Sequence, residues 1–276
     1  METRYTADPV RYPRMTTNEL RESFLLESLF EPGAIKMVYT VIDRVIVGGA
    51  VPAGKSLELT SADELRAQYF CERRELGVIN TGGSGTIQVD DTVYEMENLD
   101  GLYVGMGSRS IVFASKDSND PAYFYLLSYP AHQSYPTQQA KKAGAEAVHL
   151  GSDAECNRRT IYKYIHPDGI QSCQLVLGFT ELAEGNIWNT MPPHTHARRM
   201  EVYLYFNIES DHLVFHLMGP PEETRHLIIR NRQAVLSPSW SLHAGAGTRR
   251  YSFVWGMGGE NQAFDDMDWI DLKRLM

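Results

Sequence analysis

From Lys36 onward the chain runs in short bursts of β-branched and aromatic residues, broken by Gly, Asn and Asp. Met37 to Val47 reads as one such strand, stopping at Gly48-Gly49; Gly77-Val-Ile-Asn80, Gly85-Thr-Ile-Gln-Val89, Val93-Tyr94, Leu102-Tyr-Val104 and Ser110-Ile-Val-Phe-Ala114 follow. The texture lapses at residues 130–160, where Pro130, Pro136 and Lys141-Lys142 mark a connector. It resumes with Thr160–Tyr164, Gln174–Gly178, Val202–Tyr205, Leu213–His216, His226–Ile229, Ala234–Leu236 and Tyr251–Trp255. Many short strands at near-regular spacing predict an all-β chain of barrels or jelly rolls. Val89-Asp-Asp-Thr92 has the composition of a hairpin turn. Helix is expected only in short pieces: over Thr17–Glu27, capped at Thr16 or Thr17 with acids in its first turn, and in the tail Phe264–Met276, which reads as a short amphipathic helix or an ordered arm.

The two halves echo one another. Cys71-Glu-Arg73-Arg74-Glu-Leu-Gly-Val-Ile-Asn80 can be laid over His196-Ala-Arg198-Arg199-Met-Glu-Val-Tyr-Leu-Tyr205. In that register Tyr69 and Cys71 stand where the second half has His194 and His196, and the glutamate slips by one position. This predicts a duplicated barrel. Residues 1–150, with an N-terminal arm, form a copy without metal ligands, and residues 151–276 form the metal-binding copy with a C-terminal tail.

Composition narrows the picture. Hydrophobic residues make up 43% and charged residues 22% of the 276 positions, which suits a globular chain with a sizeable core. The net charge of −9, with no lysine- or arginine-rich block, argues against a nucleic-acid partner. No run reaches the apolar length that spans a bilayer, so no membrane role is expected. The first residues lack the basic-then-apolar order of a secretory signal, which leads to the expectation of a cytoplasmic protein. Cys71, Cys156 and Cys173 are few and lack CxxC spacing, so they read as small core residues in a reducing compartment.

Chemistry concentrates in Met191-Pro-Pro-His194-Thr-His196-Ala-Arg-Arg-Met-Glu201-Val-Tyr203-Leu-Tyr205. Side chains two apart on a strand share a face, so His194 and His196 aim together, as do Glu201, Tyr203 and Tyr205. His243 ends the turn-rich Ser237-Pro-Ser-Trp240-Ser-Leu-His243. His194, His196, Glu201 and His243 make a set of imidazole nitrogens and one carboxylate that suits Zn2+, Mn, Fe or Ni. A strictly tetrahedral site closed by these donors leaves no position for a substrate; function therefore calls for an expanded shell, a movable ligand or water on the open side.

The His-x-His, four-residue gap and Glu, followed by a Pro-containing turn and a His, resemble the two boxes of cupin barrels. The wider wording resembles the 5-keto-4-deoxyuronate isomerases of pectin breakdown, from about residue 20 onward: Ile42–Gly49, Glu72–Asn80, Asn189–Glu201, Glu223-Thr-Arg-His226, Ser237–Ser241 and Gly259–Asp268. The resemblance implies a bicupin fold and conversion of 5-dehydro-4-deoxy-D-glucuronate, a small anionic sugar acid, into 3-deoxy-D-glycero-2,5-hexodiulosonate. It also implies zinc and a homo-oligomer, a hexamer. An enediolate path needs a base, for which a metal-bound hydroxide, Tyr203, His226 and Glu260 are candidates. A substrate carboxylate asks for a guanidinium fork, for which Arg198 and Arg199 are candidates, one turned inward and the other to solvent. Trp240, Tyr205 and Trp255 are the candidate aromatic walls. Asp265, Asp266 and Asp268 read as a solvated tail or a subunit contact. Three rival readings share this pattern: a 5-deoxyglucuronate isomerase of inositol breakdown, an iron-dependent cupin dioxygenase, and a non-catalytic sugar-acid-binding cupin.

Overall fold

Strand-forming residues dominate the computed structural model, which describes residues 1–263 and 266–276. Phe264, where the expected tail element begins, and Asp265 of the acidic run lie outside the described residues. The expected β-branched strand at 37–47 is two strands, Ile35–Thr40 and Ile46–Ala50. Between them Asp43 and Arg44 take left-handed backbone, at φ 46° and 53°, and Thr40 N–H closes the turn on the Val45 carbonyl at 2.9 Å. Apolar content does not reveal such a reversal, because Ile42 and Val45 flank it. The Val89–Thr92 hairpin forms as expected, joining Gly85–Val89 to Thr92–Met96 with Asp90 at φ 49°.

The only α-helix among the described residues is Thr17–Phe24. Thr16 caps it: its hydroxyl accepts from Glu19 N–H at 3.3 Å, and the Glu19 carboxylate accepts from Thr16 N–H at 2.7 Å. This reciprocal box satisfies two of the donors a helix start leaves open. Leu20 and Phe24 supply the buried face. The helix stops where Leu25–Leu26 turn extended and pair with Val235 and Ala234. No helix among the described residues is long and apolar enough to cross a membrane.

The chain divides into two compact units. One comprises Met1–Arg4, Ser28–Ala145 and Tyr164–Leu177, the other Tyr5–Glu27, Glu146–Lys163 and Gly178–Met276. These bounds differ from a division at 150/151 in two places. Most of the N-terminal arm belongs with the second unit, because its helix continues into a strand of that unit's sheet and Tyr12 Oη–H donates to the Met218 carbonyl at 2.9 Å. Tyr164–Leu177 belongs with the first, where the N–H groups of Cys173, Gln174 and Leu175 donate to the buried Glu75 carboxylate at 2.7–2.9 Å.

The first unit has a seven-stranded and a four-stranded sheet, with Leu76, Val78, Ile87, Phe113 and Phe124 in its core. In the second unit, the larger sheet runs Ala147–Leu150, residues 159–163 of Arg159–Ile165, residues 178–182 of Val176–Leu182, Ser252–Gly259, Arg199–Phe206, Gln233–Ser237, Leu25–Leu26. Its smaller sheet runs Arg225–Ile229, Val214–Gly219, Leu242–Gly247, Trp188–Thr195, Asp268–Trp269. A two-sheet jelly roll built twice, with few short helices, is the all-β bicupin architecture expected.

Candidate metal centre

Both sheets of the second unit contribute donors. His194 on Trp188–Thr195 is the direct register partner of His243 on the antiparallel strand Leu242–Gly247. The pairing is irregular between Asn189 and His194, and Thr190 sits there at φ 51°; a bulge of this kind re-aims the side chains that follow. His196 lies just past the end of that strand. Glu201 lies within Arg199–Phe206, between Ser237 on one neighbouring strand and Met257 on the other.

These four residues converge. His194 Nε2 is 3.0 Å from His196 Nε2 and 3.1 Å from His243 Nε2. Glu201 Oε2 is 3.0 Å from His243 Nε2 and 3.6 Å from His196 Nε2. All are buried, and their ligand atoms lie within 4.8 Å of one another. Neighbouring ligands on one ion with bonds of about 2.0–2.2 Å stand roughly 3.0–3.5 Å apart, which is the spacing found here.

Proton placement makes the same point. His196 Nδ1 faces both the Asp266 carbonyl oxygen, which can only accept, and Arg199 Nη2 at 3.1 Å, which can only donate; the carbonyl is the nearer, which favours the proton on Nδ1 and the Nε2 lone pair inward. His243 Nδ1 lies 3.3 Å from the Ser237 hydroxyl, a partner able to hold that ring in the same tautomer. Lone pairs and a carboxylate then meet in one buried spot, where they repel unless a cation lies among them. Burial, with the nearby His243 imidazole, pushes His194 down to about 2. It is thus neutral and able to coordinate. Burial alone would raise Glu201, but His243 and His196 together outweigh it and hold the carboxyl well below the usual range. The donor set fits a divalent transition metal.

Beside the donors lies a cavity of about 430 Å³, within the roughly 300–1,000 Å³ of small-molecule sites. Its walls are largely apolar: Met191, Phe253, Trp255 and Met257 take part, with Trp269 at the edge. Trp255 Nε1–H is satisfied by the Thr180 hydroxyl at 3.1 Å, so its ring can stand in an apolar wall. Trp269 packs edge-on against His194, with centroids 5.2 Å apart, although 60% of its own surface is exposed. Tyr203 also lines the cavity, and its ring lies 5.2 Å from that of His243. Burial, then the Glu201 charge, raises its phenol well above the ordinary value, so the hydroxyl keeps its proton.

Several expected site residues lie elsewhere. His226 is exposed beside Phe215, its ring centroid 5.6 Å away, because alternation on Arg225–Ile229 turns Leu227 and Ile229 inward. Glu260 is exposed, just beyond the end of Ser252–Gly259. Trp240 packs on Tyr12 and Phe24 of the N-terminal arm, at 5.2 and 6.1 Å. None of the three lines the cavity. Arg198 is exposed and Arg199 is buried, so one of the pair does turn inward. Arg199 nevertheless stays out of the cavity: Nη2 lies 3.1 Å from His196 Nδ1 and donates to the Asp266 carbonyl at 3.5 Å. It supports the carbonyl that orients His196.

Arg159 and Trp269 line the cavity and were not singled out by the sequence. In the first unit, Cys71 is buried in a short 3-10 turn, and the Glu75 carboxylate accepts from Tyr103 Oη–H at 2.9 Å besides the three amides. Among the described residues, the groups that could hold a metal are the four donors above and a surface trio, the exposed Glu209 and Asp211 with the half-buried His212.

Comparison with known proteins gives full-length matches. The KduI/IolB family model matches residues 24–272. The chain is 57% identical to the 4-deoxy-L-threo-5-hexosulose-uronate ketol-isomerase of Lachnoclostridium phytofermentans over 275 residues, covering 100% of each. It is 53% identical to the protein of the same name from Caldicellulosiruptor bescii, also with 100% coverage of each. Among solved structures, an IolB-like protein from Salmonella typhimurium LT2 superposes with a TM-score of 0.70 at 14% identity, covering 90% of this chain and 96% of that one. An oxalate decarboxylase superposes at 0.59 with 9% identity, covering 87% and 78%. At such identities the structural matches speak for the fold alone.

Proposed function

The chain belongs to the KduI/IolB family, and from that premise we propose that it is a metal-dependent aldose–ketose isomerase of uronate breakdown. Its substrate in this reading is 5-dehydro-4-deoxy-D-glucuronate and its product 3-deoxy-D-glycero-2,5-hexodiulosonate. The reaction removes hydrogen from C2 and delivers it to C1; the C1 aldehyde becomes a hydroxyl and the C2 hydroxyl a ketone. The observation that carries the reading is the full-length match to uronate ketol-isomerases at 57% identity.

His194, His196, Glu201 and His243 hold the metal, which is zinc on the family resemblance. When bound, it supplies a Lewis acid for the C1 carbonyl and C2 hydroxyl. The chain's own groups do the rest. Tyr203, protonated and lining the cavity beside Glu201, donates a hydrogen bond to a substrate oxygen. Phe253, Trp255 and Met257 keep water from the reacting carbons, which strengthens every polar contact made there. The Asp266 carbonyl keeps His196 in its coordinating tautomer. A homohexamer in the cytoplasm completes the proposal.

The test is to incubate the purified protein with 5-dehydro-4-deoxy-D-glucuronate and, separately, with 5-deoxyglucuronate, following both by proton NMR. Faster turnover of the first supports the assignment. Turnover of the second alone would replace it with the inositol-pathway reaction.

A further inference from the structure

One cation stands in the cavity. Arg159 is the only Lys or Arg among the described residues that line it, and it shares that wall with the donors His194, His196 and Glu201. It is half-buried near the start of the strand Arg159–Ile165, and Ile161, two residues on, lines the same cavity, as strand alternation requires. Its hydrogen bond to protein runs from Nη1 to the Asn157 carbonyl at 2.9 Å, and among the described residues no carboxylate pairs with it. Burial lowers its pKa, offset in part by Tyr251 and Tyr203.

Other arginines of the same unit are engaged differently. Arg158 pairs with Asp153 at 2.8 Å on the exposed surface. Arg225 donates to the Met15 carbonyl and, at 2.5 Å, to the Pro13 carbonyl. Arg199 is turned toward Asp266 behind His196. A guanidinium drawn partly from water and given one carbonyl has most of its donor fork uncommitted. The group that matches a planar fork with parallel hydrogen bonds is a carboxylate.

We propose that Arg159 is the specificity-determining residue of the cavity: it receives the carboxylate of an open-chain sugar acid whose carbonyl and hydroxyl face the four metal donors. The identity of the reacting end rests on the isomerase reading; the anion site itself does not. Metal at one end and guanidinium at the other orient a short, flexible acid that apolar walls could not. Neutral sugars of the same length lack the group that satisfies Arg159 and are rejected.

The test uses the full-length, metal-loaded protein with Arg159→Gln, and Arg159→Lys as a variant that keeps charge and stem. Kinetics with 5-dehydro-4-deoxy-D-glucuronate give KM and kcat. Calorimetry with D-gluconate and D-glucitol, neither of which can isomerise, reads anion preference without turnover. Arg159→Gln should raise KM roughly 10- to 100-fold, as for loss of a charged hydrogen bond, with kcat changed far less. It should also abolish the preference for gluconate over glucitol, while Arg159→Lys falls between and metal content stays at the wild-type level. An unchanged KM and an unchanged gluconate preference in Arg159→Gln would overturn the inference and leave the isomerase intact. A wild type that fails to isomerise, yet prefers gluconate through Arg159, would overturn the isomerase reading and keep the anion site.

Discussion

Replacing Glu201 by Gln keeps the shape of the side chain while removing its charge. In the structure this carboxylate is 5% exposed and sits 3.0 Å from His243 Nε2 and 3.6 Å from His196 Nε2. A metal held by four protein donors gains about 10–16 kcal/mol, so an equal share for the anionic donor is about 2.5–4 kcal/mol, roughly 100-fold or more in affinity. A metal that binds only the folded chain stabilises it by RT ln(1 + [M]/Kd), so a 100-fold weaker site forfeits up to about 2.7 kcal/mol. In a chain of this size that is a fall of roughly 5–10 °C in the metal-induced rise of Tm. Paired thermal melts with and without metal, together with metal content by mass spectrometry, read both quantities. A Glu201→Gln protein that keeps a full equivalent of metal and the whole wild-type Tm rise would refute the assignment of this donor.

Other expectations follow from single contacts. Tyr203→Phe should lower kcat roughly 10- to 100-fold, the range for a lost transition-state hydrogen bond, while metal content holds; unchanged kcat would remove its role as donor. Gly178→Ala should destabilise by about 1–3 kcal/mol in a denaturant melt, because the new Cβ would lie 2.2 Å from the Tyr162 carbonyl oxygen and 2.3 Å from the Trp255 ring; an unshifted midpoint contradicts the close packing. Burial, then His243, pushes His216 down to about 3 from its ordinary 6.5, so the unfolded chain takes up the proton first. Stability present above pH 6.5 is therefore lost as pH falls toward 3, and His216→Met should flatten that slope in the metal-free protein by up to about 1.4 kcal/mol per pH unit. Equal slopes would count against a neutral His216. In alkylation read by mass spectrometry, exposed Cys156 should react first and Cys71 last, since burial pushes the Cys71 thiol up to about 12; early labelling of Cys71 would contradict its burial.

The donors were legible because their spacing is a local property. His194 and His196 sit two apart on extended chain, Glu201 opens the next alternating run, and His243 follows a turn marked by Pro238. Strand texture likewise revealed the all-β class, and Thr16 with Glu19 revealed the helix start. Long-range partners were what local patterns concealed. Trp240 lies in the box that ends at His243, yet its surface is taken by Tyr12 and Phe24, more than 200 positions upstream. His226 falls in a motif of the family, but alternation on its strand points it outward. Arg159 was hidden by its neighbour: nothing in Arg158-Arg159 tells one arginine from the other until strand phase separates them. The phase was available in the sequence, since Ile161 is apolar and lies two residues on; what it faces was not. Trp269 gave no signal, because only the pairing of Asp268–Trp269 with His194–Thr195 brings it to the cavity.

The most direct measurement is an oxygen-free incubation of metal-loaded protein with 5-dehydro-4-deoxy-D-glucuronate, followed by NMR before chelation, after chelation and after metal is restored. Conversion to 3-deoxy-D-glycero-2,5-hexodiulosonate that stops with chelator and returns with metal is the predicted result. Conversion that continues unchanged in fully metal-stripped protein, or none at all with metal bound, would contradict a metal-dependent isomerase.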